Sequence, residues 1–283
     1  MNTPIAGPAV APSIEYPLGH SDQELDRLTL QARALAPHTN LLFRRAGLSP
    51  GQRVLDIGCG VGDVSFIATQ LVGETGHVVG IDRSSAAVET ARDRARFGGH
   101  KNVEFLVGDA ANPEVQGKFD AIVGRLVLMY MPDPVAVLAR LRSVLRLQGL
   151  IVMQEGDLSS IGAEPECPLV TQVRDWLVTG FSRSGAATQM GSRLCNVMHR
   201  AGFMPEGSWM SQPSFVGPHL TQLDWFSDLA RMMLPKLEAH GIATAAEVDV
   251  PTLAARLQAE ARARNAIVFA PKLIGVWARH TRV

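Results

Sequence analysis

Between residues 53 and 154 the chain alternates short strand-like runs with helix-period runs, and this alternation constrains the fold more than any other feature. Arg53 to Ile57 leads to a helix after Gly62, and His77 to Ile81 leads to Ser84 to Phe97. Val103 to Val107, Phe119 to Val123 and Leu150 to Gln154 continue the series, with a Leu138, Leu141, Leu145 helix before the last. Strands joined by helical crossovers run parallel, and a parallel sheet needs helices over both faces. In such a sheet a ligand sits where the strand order switches.

The flanks read differently. Pro4, Pro8, Pro12 and Pro17 punctuate an N-terminal arm. Ser21 to Glu24 fits a capping box, opening a helix with Leu25, Leu28, Ala32 and Leu35 on one face. Pro37 is expected to stop it, and a second short helix should carry Leu41, Leu42 and Ala46 to Gly47. Beyond Gln154 come a helix around Val170 to Phe181 and another near Ser192 to Ala201. Two late strands follow, Ser208 to Phe215 and Ile267 to Ala278. The roughly 50 residues between them far exceed a hairpin loop. There Leu223, Phe226, Ala230, Met233 and Leu237 keep helical spacing, Thr244 to Glu247 is a second capping box, and Leu253, Leu257 and Ala261 mark another helix. This insertion reads equally as a substrate cap or as a packing layer. The expected organisation is an N-terminal arm with helices (1–47), a core (48–157), and a completing region (158–283) carrying the cap at about 218–265.

Composition excludes more than it identifies. With 27 basic and 27 acidic side chains among 283 residues, and 46 % hydrophobic residues, the chain is globular and neutral. Neutrality gives no basic footprint for nucleic acid or an anionic membrane. No cationic start precedes an apolar stretch, and no apolar run is long enough to span a bilayer, so the expected location is the cytoplasm. Cys59, Cys167 and Cys195 form neither a disulfide framework nor a metal-ligand pattern, so no metal is expected.

The segment Val54-Leu55-Asp56-Ile57-Gly58-Cys59-Gly60-Val61-Gly62-Asp63 falls where the first strand turns into the first helix. Glycines there let the backbone turn sharply and approach a ligand closely. A dinucleotide fingerprint would place its third glycine at position 63, but Asp63 stands there and would repel a pyrophosphate. Asp82 ends the second strand, where a carboxylate can accept both hydrogen bonds of a ribose diol. Gly108-Asp109-Ala110 ends the third strand, suited to an adenine amino group, and Asp56 is placed to approach a cationic ligand end. Together these suit a nucleoside bearing an ammonium and a carboxylate.

These motifs, with Ile81-Asp82 and Phe119-Asp120-Ala121-Ile122-Val123, resemble the class I S-adenosylmethionine-dependent methyltransferases over about residues 40 to 155. The resemblance implies a Rossmann-like α/β fold: a seven-stranded, mostly parallel sheet with an antiparallel final strand and helices on both faces, to which the spacing above adds a helical cap insertion. It implies S-adenosyl-L-methionine as cofactor, with Asp56, Gly58, Cys59 and Gly60 at the methionine portion and Asp82 on the ribose hydroxyls. Arg83 would lie beside the adenine, Asp109 and Ala110 would bind it, and Arg125 and Leu126 would contact the cofactor after the fourth strand. Tyr16 and Gln31 would cover the methionine end.

A sulfonium methyl is already activated, so the protein must align the acceptor and exclude water. A base is needed only where the accepting atom carries a proton. No catalytic base stands out. Asp157 is the first expectation for a substrate contact, with Tyr130, Trp176 and Trp225 as apolar walls and His38, His199 and His219 as open alternatives. Gly124 to Tyr130 lacks the Asn/Asp-Pro-Pro-aromatic run of base-amine methylating enzymes, so a small organic acceptor is expected. A non-methylating lyase or cyclase using the same cofactor is the alternative, and a homodimer remains open as the assembly.

Overall fold

The structure, a computed structural model, describes residues 22–281, with side chains described from residue 34 onward. Helix α1 (Asp22–Ala46) leads to β1 (Arg53–Ile57), α2 (Asp63–Val72), β2 (His77–Asp82), α3 (Ser85–Phe97) and β3 (Val103–Val107). The chain then returns to β4 (Phe119–Arg125), α4 (Pro134–Leu141) and β5 (Leu145–Asp157). After β6 (Gly162–Glu164), α5 (Pro168–Arg183) and α6 (Met190–Arg200) come β7 (Met204–Ser211) and β8 (Ser214–Phe215). Helices α7 (Asp224–Ala239), α8 (Ala245–Val248) and α9 (Val250–Ala263) precede β9 (Ile267–Phe269) and β10 (Lys272–Arg279).

Seven strands form one sheet in the order β3-β2-β1-β4-β5-β10-β7. The first five run parallel, and β10 is antiparallel to both β5 and β7. This is the expected Rossmann-like sheet with its late antiparallel pair. Strand order proceeds outward from β1 to β3 and resumes on the other side at β4, which puts the switch point between β1 and β4. Val54 to Ile57 and Ala121 to Val123 are buried, as strands covered on both faces must be. Leu42 and Phe43 of α1 pack with Ile67, Leu71 and Val72 of α2 over one face. Leu138, Leu141, Leu194 and Met198 cover the other.

Three expectations are corrected. Pro37 does not end the first helix, because α1 runs through it to Ala46. Proline removes one N–H, but long-range packing holds the following turns. Leu42 and Phe43 are fully buried, and a Cβ on Gly275 of β10 would lie 2.3 Å from the Leu42 side chain. Ser21 of the first capping box lies outside the described residues. Each expected late strand is in fact two strands interrupted at a proline, Pro213 or Pro271. The shorter pieces, β8 and β9, join β6 in a separate three-stranded sheet. Gln212 Nε2 bridges the Ser160 and Ala270 carbonyls at 2.9 and 3.0 Å where the strands leave the main sheet. Leu145 also belongs to β5, not to the preceding helix.

Between β8 and β9 the chain is helical, as its spacing indicated. A 3-10 turn over Gly217–Leu223 enters α7, and Thr244 and Glu247 make the reciprocal capping box of α8. Leu253, Leu257 and Ala261 turn inward from α9. Helix α7 packs against α5, α9 and α1, which brings this segment over the carboxyl ends of the parallel strands.

Candidate active site

A cavity of about 1360 Å³ opens at the switch point, larger than the roughly 300–1000 Å³ of a single small-ligand pocket. The β1–α2 loop forms one end. Gly58, Gly60 and Gly62 all take positive φ, at 62°, 52° and 93°. At Gly58 a Cβ would lie 2.5 Å from Val127 Cγ2, so glycine lets two loops pack. At Gly60 a Cβ would meet nothing within 4 Å, because that position faces the open cavity. The Gly60 N–H donates to Asp82 Oδ2 and the Ser84 N–H to Asp82 Oδ1, both at 2.9 Å. Each oxygen keeps a further lone pair at the cavity wall, where Arg83 is exposed beside it. Cys59 is buried in the same loop, its N–H on the Ile81 carbonyl at 2.9 Å, and burial pushes its thiol pKa up.

Across the cavity, Arg125 ends β4 and Leu126 follows it at φ 55°. Arg125 Nη1 donates to Thr39 Oγ1 at 2.9 Å, and that hydroxyl donates to Gln154 Oε1 at 2.7 Å. The guanidinium makes no other hydrogen bond to a described residue, which leaves donors for the cavity whose wall it lines. Burial lowers its pKa, opposed by Asp63 and Asp56.

Glu155 shapes the next wall. Its Oε1 accepts the Val127 and Leu128 N–H groups at 3.0 and 2.8 Å, and Oε2 accepts that of Met129 at 3.3 Å. The carboxylate thereby anchors the 3-10 turn Leu128–Tyr130, which presents Met129 and Tyr130 to the cavity. Burial raises the Glu155 pKa to about 7 against these three bonds. The far end is apolar, with Phe181, Phe215, Trp225, Leu229 and Leu273. Trp225 stacks edge-on against Phe226 at 4.9 Å.

Several sequence-derived candidates fall elsewhere. Asp56 is fully buried behind the loop, off the cavity wall, with Oδ2 accepting from Ser65 Oγ at 2.6 Å and Oδ1 unpartnered among the described residues. Its position inside β1 turns it away from the ligand end it was expected to meet. Asp109 is exposed and accepts the Ala111 N–H at 2.8 Å, so the turn sends Ala110 inward and the carboxylate outward. Asp157 lies off the wall. Its oxygens accept from Ser192 Oγ and from the N–H and hydroxyl of Ser159, starting the 3-10 turn Leu158–Ser160. Trp176 is buried in the core under α5 and does not line the cavity. His199 and His219 are exposed away from it. Tyr16 and the Gln31 side chain lie outside the described residues. Asp63 does reach the wall, but Arg94 Nη2 stands 2.7 Å from it and offsets its charge. The case against a pyrophosphate therefore rests on the glycine spacing more than on that acid.

Spacing alone gave no reason to prefer His38, yet the structure brings its imidazole to the wall, one turn past Ala34 and Leu35. Asp224 and Asp228 of α7 also reach it. Their i, i+4 spacing was a findable signal, but only the packing of α7 reveals the face.

Asp56 gives a testable pH effect. Unfolded, it ionises near 3.8, whereas burial holds its proton in the fold until about 7. The folded chain binds the extra proton, so this residue costs stability as pH rises from about 4 to 7. Asp56→Asn is expected to have a higher Tm than the parent above about pH 7 and to lose that advantage near pH 4. Parallel Tm curves for the two proteins would show that Asp56 is ionised inside the fold.

Residues 48–197, more than half of the chain, match the family described as Methyltransferase domain. The chain belongs to this methyltransferase-domain family. It is 40 % identical over 102 residues to aklanonic acid methyltransferase DauC of Streptomyces sp. strain C5, an alignment covering 36 % of this chain and 46 % of that one. It is 36 % identical over 114 residues to demethylmenaquinone methyltransferase of Lactococcus lactis, covering 40 % and 45 %. The chain thus spans about half the length of these curated relatives. Among solved structures, geranyl diphosphate methyltransferase in complex with SAM shares the fold at a TM-score of 0.55, with 17 % identity and 94 % of each chain covered.

Proposed function

We propose that the chain transfers a methyl group from S-adenosyl-L-methionine to a small organic molecule. The observation that carries this reading is the open Gly60 surface beside an Asp82 carboxylate whose two oxygens are already oriented by backbone N–H groups. That arrangement fits a ribose diol lying against the loop, with Arg83 and Ala110 beside the base. Arg125, partly buried and with donors to spare, fits the methionine carboxylate. Cys59 and Leu126 complete the contact. The bound cofactor supplies an electrophilic methyl, and the surrounding residues bind it, orient the acceptor and exclude water.

The space beyond a cofactor of this size belongs to the acceptor. Tyr130 and Trp225 are the contacts we assign to it, within an apolar and aromatic end that suits a ring-bearing compound. The relatives named for aklanonic acid and demethylmenaquinone support that class. The neutral composition supports a metabolite over nucleic acid. Among the described residues no helix is long and apolar enough to cross a membrane, and we read the protein as acting in the cytoplasm. Incubation with methyl-labelled cofactor and hydroxylated ring compounds is expected to give labelled product. Cofactor binding without label transfer to any of them would instead favour a non-methylating use of the cofactor.

A further inference from the structure

We propose that His38 takes the proton from the acceptor during transfer, and that the acceptor is therefore a hydroxyl on an apolar ring compound. This rests on the methyl-transfer reading above. Among the described residues that line the cavity, His38 is the one imidazole, and no hydrogen bond or ion pair ties it to another described residue. Its position is fixed by its own helix. Next to it, the Thr39 hydroxyl is locked between Arg125 and Gln154, and one turn on, Leu42 is seated against Gly275 of β10.

The other charged groups on this wall are engaged or distant from the role. Asp63 is paired with Arg94, and Asp228 with Arg231 at 2.9 Å. Asp224 accepts from Gln258 Nε2 at 3.1 Å, and Asp82 holds the two N–H groups at the cofactor end. Arg83 and Arg125 are cations and cannot accept a proton. A carboxylate is also poorly matched to a phenolic proton, whereas an imidazole near neutral pH is well matched. Burial lowers the His38 pKa, which keeps the ring unprotonated at neutral pH.

In the step, the hydroxyl oxygen forms a bond to the methyl carbon while the carbon–sulfur bond breaks and its electron pair stays on sulfur. The O–H proton passes to the free nitrogen of His38, giving an imidazolium that later returns the proton to water. The products are a methyl ether and a neutral thioether.

The test uses the full chain with methyl-labelled cofactor and three probes whose hydroxyls keep their protons at neutral pH: 1-naphthol, 5-hydroxy-1,4-naphthoquinone and a flavonol. The parent protein should methylate at least one of them. Its kcat should fall on the acidic side as His38 protonates, with the limb displaced below the ordinary imidazole range because burial lowers this pKa. His38→Gln should lower kcat about 100-fold or more, leave the KM for the cofactor unchanged and abolish the acidic limb. His38→Ala, with added imidazole, should recover part of the lost kcat, which a merely structural role would not allow. A His38→Gln protein that folds and keeps at least a third of parental kcat overturns the proposal. Failure of imidazole to rescue, or cofactor binding with none of the three probes methylated, overturns it too. Failure to bind the cofactor at all refutes the methyl-transfer reading itself.

Discussion

Asp82→Ala is expected to weaken binding of S-adenosylmethionine or its demethylated product by at least about 100-fold. Two hydrogen bonds from a ribose diol to a carboxylate contribute about 1.5–3 kcal/mol each, and alanine offers no acceptor for either. The loss reaches the protein as well. The Gly60 and Ser84 N–H groups both point at this carboxylate, so the loop that faces the ligand loses its orienting partner. Asp82 ends β2 at the edge of the cavity and is only partly buried, so the fold should survive and calorimetry can be run on a folded variant. An unchanged Kd would place the nucleoside elsewhere.

Gly58→Val should cost about 2–5 kcal/mol of stability and abolish cofactor binding with it. Its φ of 62° is left-handed, where a side chain costs about 1–2 kcal/mol, and its Cβ would lie 2.5 Å from Val127 Cγ2. Gly60→Ala provides the contrast. Its φ of 52° carries some of the same strain, but the new methyl meets nothing within 4 Å and projects into the cavity. Thermal unfolding should therefore fall steeply for the first variant and slightly for the second, while both lose the ligand. Equal, small Tm losses would mean that the β1–α2 loop relaxes around Val127.

The contrast also shows what could be read from the sequence. The glycine spacing and the position of Asp82 follow from local rules: a strand, a sharp turn and a helix fix where that backbone goes. The alternation of strands and helices likewise indicated the parallel core, whereas the place of its switch point, between β1 and β4, comes from the strand order. Carboxylates at strand ends were less legible, because one residue of register decides which way each points. Asp82 faces the cavity, whereas Asp56 is sealed behind the loop and Asp109 turns outward to cap its own turn. Asp157, which lies past the expected strand Leu150 to Gln154 but ends β5, is consumed by Ser159 and Ser192, a partnership set by the packing of α6. His38 was obscured for a related reason. Pro37 reads locally as a helix end, but contacts with β5 and β10 hold α1 straight through it and carry the imidazole to the wall.

The most direct measurement is a calorimetric titration of the purified chain with S-adenosylhomocysteine, with NAD in a parallel cell. A single site of micromolar affinity for the first, no heat from the second, and loss of the signal in Asp82→Ala are the predicted results. Binding of NAD, or no binding of either compound, would contradict the assignment of the switch-point cavity to this cofactor.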